Sequence, residues 1–287
     1  MAVLTCLQLA AALAQAKPGA TLRLAPGSDC SSIIITRHWS PGIVVDSEGA
    51  TVRGLVVTGG GVRWRSGTIK ALGGAYARGP SGYGARLLRA HDVRFDRVLF
   101  TDADRGIVLD RSRQVSVTNS KFLHLGQDGI IASASQALVI SNNYFSGTRA
   151  APSRCTLSDA FVSGMRKRDC ETRGGIWKSG GHPDAVQMRN GVTDVLIERN
   201  VVEGPTQGLT QMDTIGDAPL ERVVIRNNKV ATERPHKITL GACVDCVIAN
   251  NEVDRAFGSD TKAIILKGQA ERCGNRAQDE KSKDAPC

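Results

Sequence analysis

Three registers that recur along the 287-residue chain predict an all-β protein wound as a single-stranded parallel β-helix. The first is a short strand of alternating apolar residues: Val93-Arg94-Phe95, Val115-Ser116-Val117, Leu138-Val139-Ile140, Val195-Leu196-Ile197, Val223-Val224-Ile225 and Cys246-Val247-Ile248. These strands are spaced by 22, 23, 57, 28 and 23 residues. The second is a polar corner after each strand, at Asn119-Ser120, Asn142-Asn143, Arg199-Asn200, Asn227-Asn228 and Asn250-Asn251. Asn tolerates the left-handed backbone of a tight bend, and stacked amides can bond along the stack. The third is a core column two positions past the corner: Phe100, Phe122, Phe145, Val202, Val230 and Val253. Units this short cannot bury their own apolar faces and must stack on one another. A leucine-rich repeat has a similar period, but its fixed Leu and Asn spacing is missing.

Composition agrees. With 31 Gly, aromatics at 4% and many Val-Ile-Asn runs, the chain suits short strands and tight turns and argues against a helical bundle. No polar linker divides it, so residues 1–287 read as one domain, with an N-terminal cap over 1–30, an insertion loop over 147–181 and a C-terminal cap over 271–287. Caps are needed because the ends of a solenoid expose strand edges and naked core. The apolar residues between Leu4 and Leu13 predict an amphipathic capping helix, with Cys6 and Cys30 as a staple. Residues 1–16 lack a basic n-region and run straight into a turn and strand at 17–24. They are expected to belong to a mature chain whose export signal has been removed.

The eight cysteines suit disulfides in an oxidising compartment, so a secreted or periplasmic location is expected. Cys155 and Cys170 are expected to bridge the insertion. Near the C-terminus, Cys246 and Cys273 could share an inward column of adjacent coils, ~4.8 Å apart. Cys243 with Cys246 is the competing pair, and the spacing leaves the choice open. No second half-site follows Cys243-Val-Asp-Cys246, which weighs against zinc.

A net charge of +9 favours an anionic partner. An acidic polysaccharide is expected. No basic helix with interleaved aromatics suggests nucleic acid, no run of ~20 apolar residues suggests a membrane span, and a monomer is expected.

The Leu-Ala-rich start, the segment from Ala16 to Gly27 and the NN-x-[VF] corners resemble the right-handed parallel β-helix proteins of the pectate-lyase-like superfamily, over nearly the whole chain. The resemblance implies a right-handed coil and carbohydrate chemistry. Relatives use Arg, Lys or His as base, often with Ca²⁺ on carboxylates.

The interval of 57 residues locates the candidate site. Its excess lies between Gly147 and Gly181 and carries Arg149, Arg154, Arg166, Lys167, Arg168, Arg173 and Lys178, a basic arm ending at His182. Long loops in compact domains are usually functional or disordered, and the expected bridge argues for order. Aligning Ile107, Ile130, Val186, Thr210, Ile238 and Ile264 as inward residues gives an outward column Val108, Ile131, Gln187, Gln211, Thr239 and Ile265. The next outward column is Asp110, Ser133, Arg189, Asp213, Gly241 and Lys267, and the leading corner is Arg105, Asp128, Asp184, Gly208, His236 and Lys262.

Amides and guanidinium groups in a shallow groove suit sugar hydroxyls and carboxylates. The expected activity is a secreted polysaccharide lyase cleaving a uronic-acid polymer by β-elimination. The carboxylate must be neutralised, the α-proton removed and the leaving oxygen protonated. Arg189 with Lys178 is the expected neutraliser, and His182 the expected base, oriented by Asp184 or Asp213. Gln187, Gln211, Asp213, Asp128, Arg166 and Arg168 are expected substrate contacts. No cofactor is assigned, and Asp128 with Asp184 is a candidate Ca²⁺ site. A glycoside hydrolase using Asp128, Asp184 or Asp213, a C5-epimerase and a non-catalytic glycan-binding adhesin module are the alternatives. Asp110, Lys237 and Lys267 read as solvated surface, and His38, His91, His124 and His236 as structural.

Overall fold

The computed structural model describes residues 3–75, 77, 79–148, 154–157, 160–163, 167–178, 182–211, 218–234, 236–254, 263–277 and 284–287, with backbone alone for 154–157, 160–163, 167 and 176–178. A 26-stranded parallel sheet coils through the chain, each strand pairing with the equivalent strand of the next coil. This is the expected parallel β-helix. A typical coil lays one strand on each of three faces: Arg105–Asp110, then Arg113–Thr118, then Lys121–Leu123.

The predicted registers hold across the stack. Phe100 pairs with Phe122, Phe122 with Phe145, Phe145 with Val202, Val202 with Val230 and Val230 with Val253. The three Phe rings stack in the core at centroid separations of 4.7 and 4.5 Å, adding an offset-ring attraction to their area burial.

The polar corner divides its work between its two residues. Its first residue takes a left-handed φ of 51 to 56°, at Asn119, Asn142, Arg199, Asn227 and Asn250. Its second points inward. Asn143, Asn200, Asn228, Asn251 and Asn275 are each at most 2% exposed and form a continuous amide ladder. Each Nδ2 donates to the Oδ1 one coil on, at 3.1, 2.9, 2.9 and 2.8 Å. The same oxygens accept the backbone N–H of the preceding rung.

The ends are closed as expected. The helix Cys6–Gln15 buries Leu9 and Leu13 over the first coil and is tied down by the Cys6–Cys30 disulfide. At the other end, Asp284 accepts from Arg272 and from Asn275 Nδ2, and Cys287 bridges to Cys273. The Cys246–Cys273 expectation is therefore wrong. Register places Cys273 beside Ala249, and Cys246 pairs with Cys243 instead. The register shifts between Leu240 and Cys246, so the stretch between the two cysteines bends enough to close a short bridge.

The excess of the long interval forms a separate three-stranded antiparallel sheet of Arg154–Leu157, Ala160–Ser163 and Ile176–Lys178, with a short helix Lys167–Thr172. Cys170 is disulfide-bonded, while the side chain of its expected partner Cys155 lies outside the described residues. The solenoid register resumes beyond the insertion, with Tyr144 paired to Val201. Among the described residues, no helix is long and apolar enough to cross a membrane.

Asn228→Ala is expected to lower stability by at least about 3 kcal/mol, because it strands the two Asn200 donors and the Ile197 carbonyl inside the core. Asn227→Gly, at φ 56°, should leave stability unchanged or slightly raised. Urea unfolding of the two variants against wild type checks both.

Candidate functional site

On the face built from Tyr83–Leu88, Arg105–Asp110, Ile130–Ser133, Asp184–Arg189 and Gln207–Gln211, four strands begin with a polar residue followed by a small one, and in the Ile130–Ser133 coil the equivalent pair, Asp128-Gly129, stands just before the strand. Gly106 shows why the second must be small. A Cβ there would lie 2.5 Å from the Gly129 carbonyl oxygen and 2.8 Å from the Phe122 ring. Register lines up Tyr83 with Arg105, and Asp184 with Gln207.

Two carboxylates come together here. Asp128 is 3% exposed and Asp184 1%, and the Asp184 backbone N–H donates to Asp128 Oδ1 at 3.0 Å. Asp128 Oδ2 takes Arg105 Nε at 3.2 Å, and the same guanidinium donates to the Tyr83 hydroxyl and to Gln127 Oε1, each at 3.1 Å. Asp184 accepts from Gln187 Nε2 at 2.9 Å and Thr210 Oγ1 at 2.8 Å.

Burial, and then the neighbouring Asp128 charge, push the Asp184 carboxyl up to about 8. Burial likewise raises Asp128, against the pull of the Asp184 N–H and Arg105. Arg189 lies close enough to favour ionisation of both. At neutral pH Asp184 therefore holds a proton, and Arg105 faces Asp128 with Asp104 also near it.

At the edge, His182 is exposed and lies beside His236. The His236 imidazole is held below its ordinary value by burial and by His182. His236 Nδ1 is 3.5 Å from Thr239 Oγ1, and Thr239 registers with Thr210 and so shares a column with Gln187.

The structure thus brings together Asp128, Asp184, Gln187 and Arg189, with His182 at the rim. It corrects several other assignments. Leu209, not Thr210, is the inward partner of Val186, because Leu209 is the apolar side chain that this coil offers its core. Thr210 moves outward onto Asp184. Gln211 moves inward, 1% exposed, where Oε1 accepts from the N–H groups of Gly241 and Ala242 at 3.0 and 2.9 Å. It braces a bulge and is no substrate contact.

Asp184 does not orient His182, since its oxygens are taken by Gln187 and Thr210. Arg168 is exposed on the insertion helix, with no described contact to this face. Asp213, Arg166 and the Lys178 side chain lie outside the described residues.

Three residues of this face lie outside the site the sequence predicts: His236, which reads as structural, Arg105, which falls in the corner column without a role, and Gln207, which the one-residue slip displaces and which registers with Asp184. Lys237, expected at the surface, is fully buried, its Nζ donating to the Thr232 carbonyl.

The acid pair does not fit a Ca²⁺ site. Its four oxygens already accept protein donors, one of them a guanidinium. Among the described residues no group of three ligating side chains forms elsewhere.

A family model described as "Right handed beta helix region" matches residues 41–164. No curated protein matches the chain by sequence. An alginate lyase from Paenibacillus sp. strain FPU-7 superposes with a TM-score of 0.62 at 17% identity, covering 98% of this chain and 95% of its own. The Dettilon tailspike protein gives a TM-score of 0.55 at 12% identity over 96% of this chain and 58% of its own. The surface adhesin PfbA of Streptococcus pneumoniae gives 0.54 at 13% identity, covering 94% and 85%. The fold is therefore the right-handed parallel β-helix, and likenesses at these identities carry no further than the fold.

The raised Asp184 carboxyl has a measurable signature. Its stabilising contribution is complete below its ordinary value of 3.8 and is lost as pH rises towards about 8. Asp184→Asn mimics the neutral acid. Between pH 4 and 8, wild type should lose up to about 1.4 kcal/mol per pH unit relative to that variant. Thermal unfolding across a pH series reads the difference.

Proposed function

We propose that the protein is a secreted or periplasmic polysaccharide lyase that cleaves a uronic-acid polymer by β-elimination. One observation carries the reading. Arg105 and Arg189 flank a buried acid pair whose Asp184 is neutral, so the pair draws less on their charge than two carboxylates would, while two imidazoles stand at its rim.

In this reading Arg189, assisted by Arg105, binds the uronate carboxylate and stabilises the charge that builds there as the C5 proton leaves. A member of the His182–His236 pair takes that proton. His236, kept neutral by burial and its neighbour, is suited to accept it. The C5–H electron pair becomes the C4=C5 double bond, the C4–O bond breaks, and the imidazolium returns its proton to the departing oxygen. Gln187 and Gln127 supply amides for sugar hydroxyls. Asp128 and Asp184 are positioning residues: they fix Arg105, Gln187 and Thr210 from beneath.

A glycoside hydrolase is the second reading, favoured by the raised Asp184 carboxyl beside a second carboxylate, the environment of a general acid. Its carboxyls would have to reach the glycosidic oxygen, and both are nearly inaccessible. A C5-epimerase would share the proton abstraction but leave the chain intact, and an adhesin module would bind without turnover.

Incubation with a panel of uronic-acid polymers is expected to generate an unsaturated product absorbing in the near ultraviolet. His236→Ala or His182→Ala, whichever removes the base, should lower kcat by about 10²- to 10⁴-fold. New reducing ends without unsaturation would turn the assignment to a hydrolase, and unaltered polymer throughout would reject catalysis of either kind.

A further inference from the structure

A second cluster lies on a different face of the solenoid, formed by the strands His38–Asp46, Gly60–Arg65, His91–Asp96 and Arg113–Thr118. An open cleft of about 710 Å³ there is lined by His38, His91, Arg94, Gln114, Ser116 and Val139, among others. Its size falls within the usual range for small-ligand sites.

Gly60 makes the cleft possible. It stands in register between His38 and His91. A Cβ on it would fall 3.0 Å from His38 Nδ1 and 2.1 Å from the His91 carbonyl oxygen. With no side chain on the middle rung, two imidazoles from strands two coils apart meet at a centroid distance of 4.1 Å.

Positive charge gathers around them. Arg113 registers with His91, and Arg63 with Arg94. The acid within this group is Asp92, 3.3 Å from Arg94 Nη2. Burial, His38 and Arg113 hold the His91 imidazole below its ordinary value, with Asp92 opposing them. Beyond that burial, the charge of Arg113, Arg63 and Arg94 around the imidazoles repels a metal ion and attracts an anion.

We propose that this cleft is a second saccharide site that grips a uronate segment away from the candidate catalytic face. It takes only the choice of a uronate from the function proposed above; the site itself stands on its own charge and shape. Arg94, with Arg63 beside it, forks onto the carboxylate. Gln114 and Ser116 offer donors and acceptors to hydroxyls. Val139 and Ala137 floor the cleft under the apolar face of a sugar ring. Protonation of His91 adds positive charge, so the grip tightens as pH falls below that imidazole's ordinary value of 6.5.

Hydrogen–deuterium exchange with a tetrauronate, in wild type and in an Arg189→Ala background that keeps the oligomer intact, tests the site. The expected result is protection of residues 91–94 and 113–116, stronger at pH 5.5 than at pH 7.5, and none with maltotetraose. Arg94→Gln, at an exposed position, should weaken binding in this cleft about tenfold and leave any protection of 184–189 unchanged. Absence of protection at 91–94 and 113–116, equal protection by maltotetraose, or unchanged affinity in Arg94→Gln would overturn the proposal. Failure of the lyase reading shows separately, as missing unsaturated product with this protection intact.

Discussion

Hydrogen bonding from each coil to the next fixes everything else in this molecule. A strand here has no partner within its own coil, so its backbone groups are satisfied only by the coils above and below. The amide ladder from Asn143 to Asn275 imposes the same demand on side chains. A rung displaced by one residue would bury donors without acceptors, and a slip would also turn an entire strand inside out. Register is thus held at every turn, and residues far apart in sequence become fixed neighbours. Asp128 and Asp184 touch across the whole insertion because the frame on either side of it never loses count.

That enforced proximity sets the electrostatics of the face. Two carboxylates side by side and out of water cannot both ionise cheaply, and the one nearer neutrality gives up its charge first. Arg105 stays bonded to Asp128, and the neutral Asp184 draws less on both arginines than an ionised one would. A cation intended for an external carboxylate must not be fully spent on an internal one. Keeping Asp184 protonated achieves this while its oxygens still hold Gln187 and Thr210 in place.

The architecture was legible because it rests on repetition. Phe122 over Phe145, or Asn228 over Asn251, is a statement about period, and period survives in a single sequence. The site was less so, since it depends on single-residue register where repetition is weakest. The coil at 207–211 offers one large apolar residue, Leu209. Aligning Thr210 in its place moved Gln211 outward on paper and concealed Gln207. His236 seemed isolated because its partner, His182, is distant along the chain and adjoins it only across the coils. Lys237 showed no sign of burial, for nothing in its type anticipates a carbonyl waiting at Thr232. Short-range disulfide choice was equally opaque: the bulge after Leu240 that lets Cys243 reach Cys246 is a backbone event without a sequence mark.

The last rung has a consequence beyond this fold. A ladder of amides and strands that simply stopped at Asn275 would be an open template, ready to add an identical molecule as readily as it added its own previous coil. Asp284, brought back by the Cys273–Cys287 bridge, occupies the terminal amide, while the leading helix shields the opposite edge. The molecule is thereby a fibre interrupted at both tips, and end-to-end growth would require both caps to be displaced.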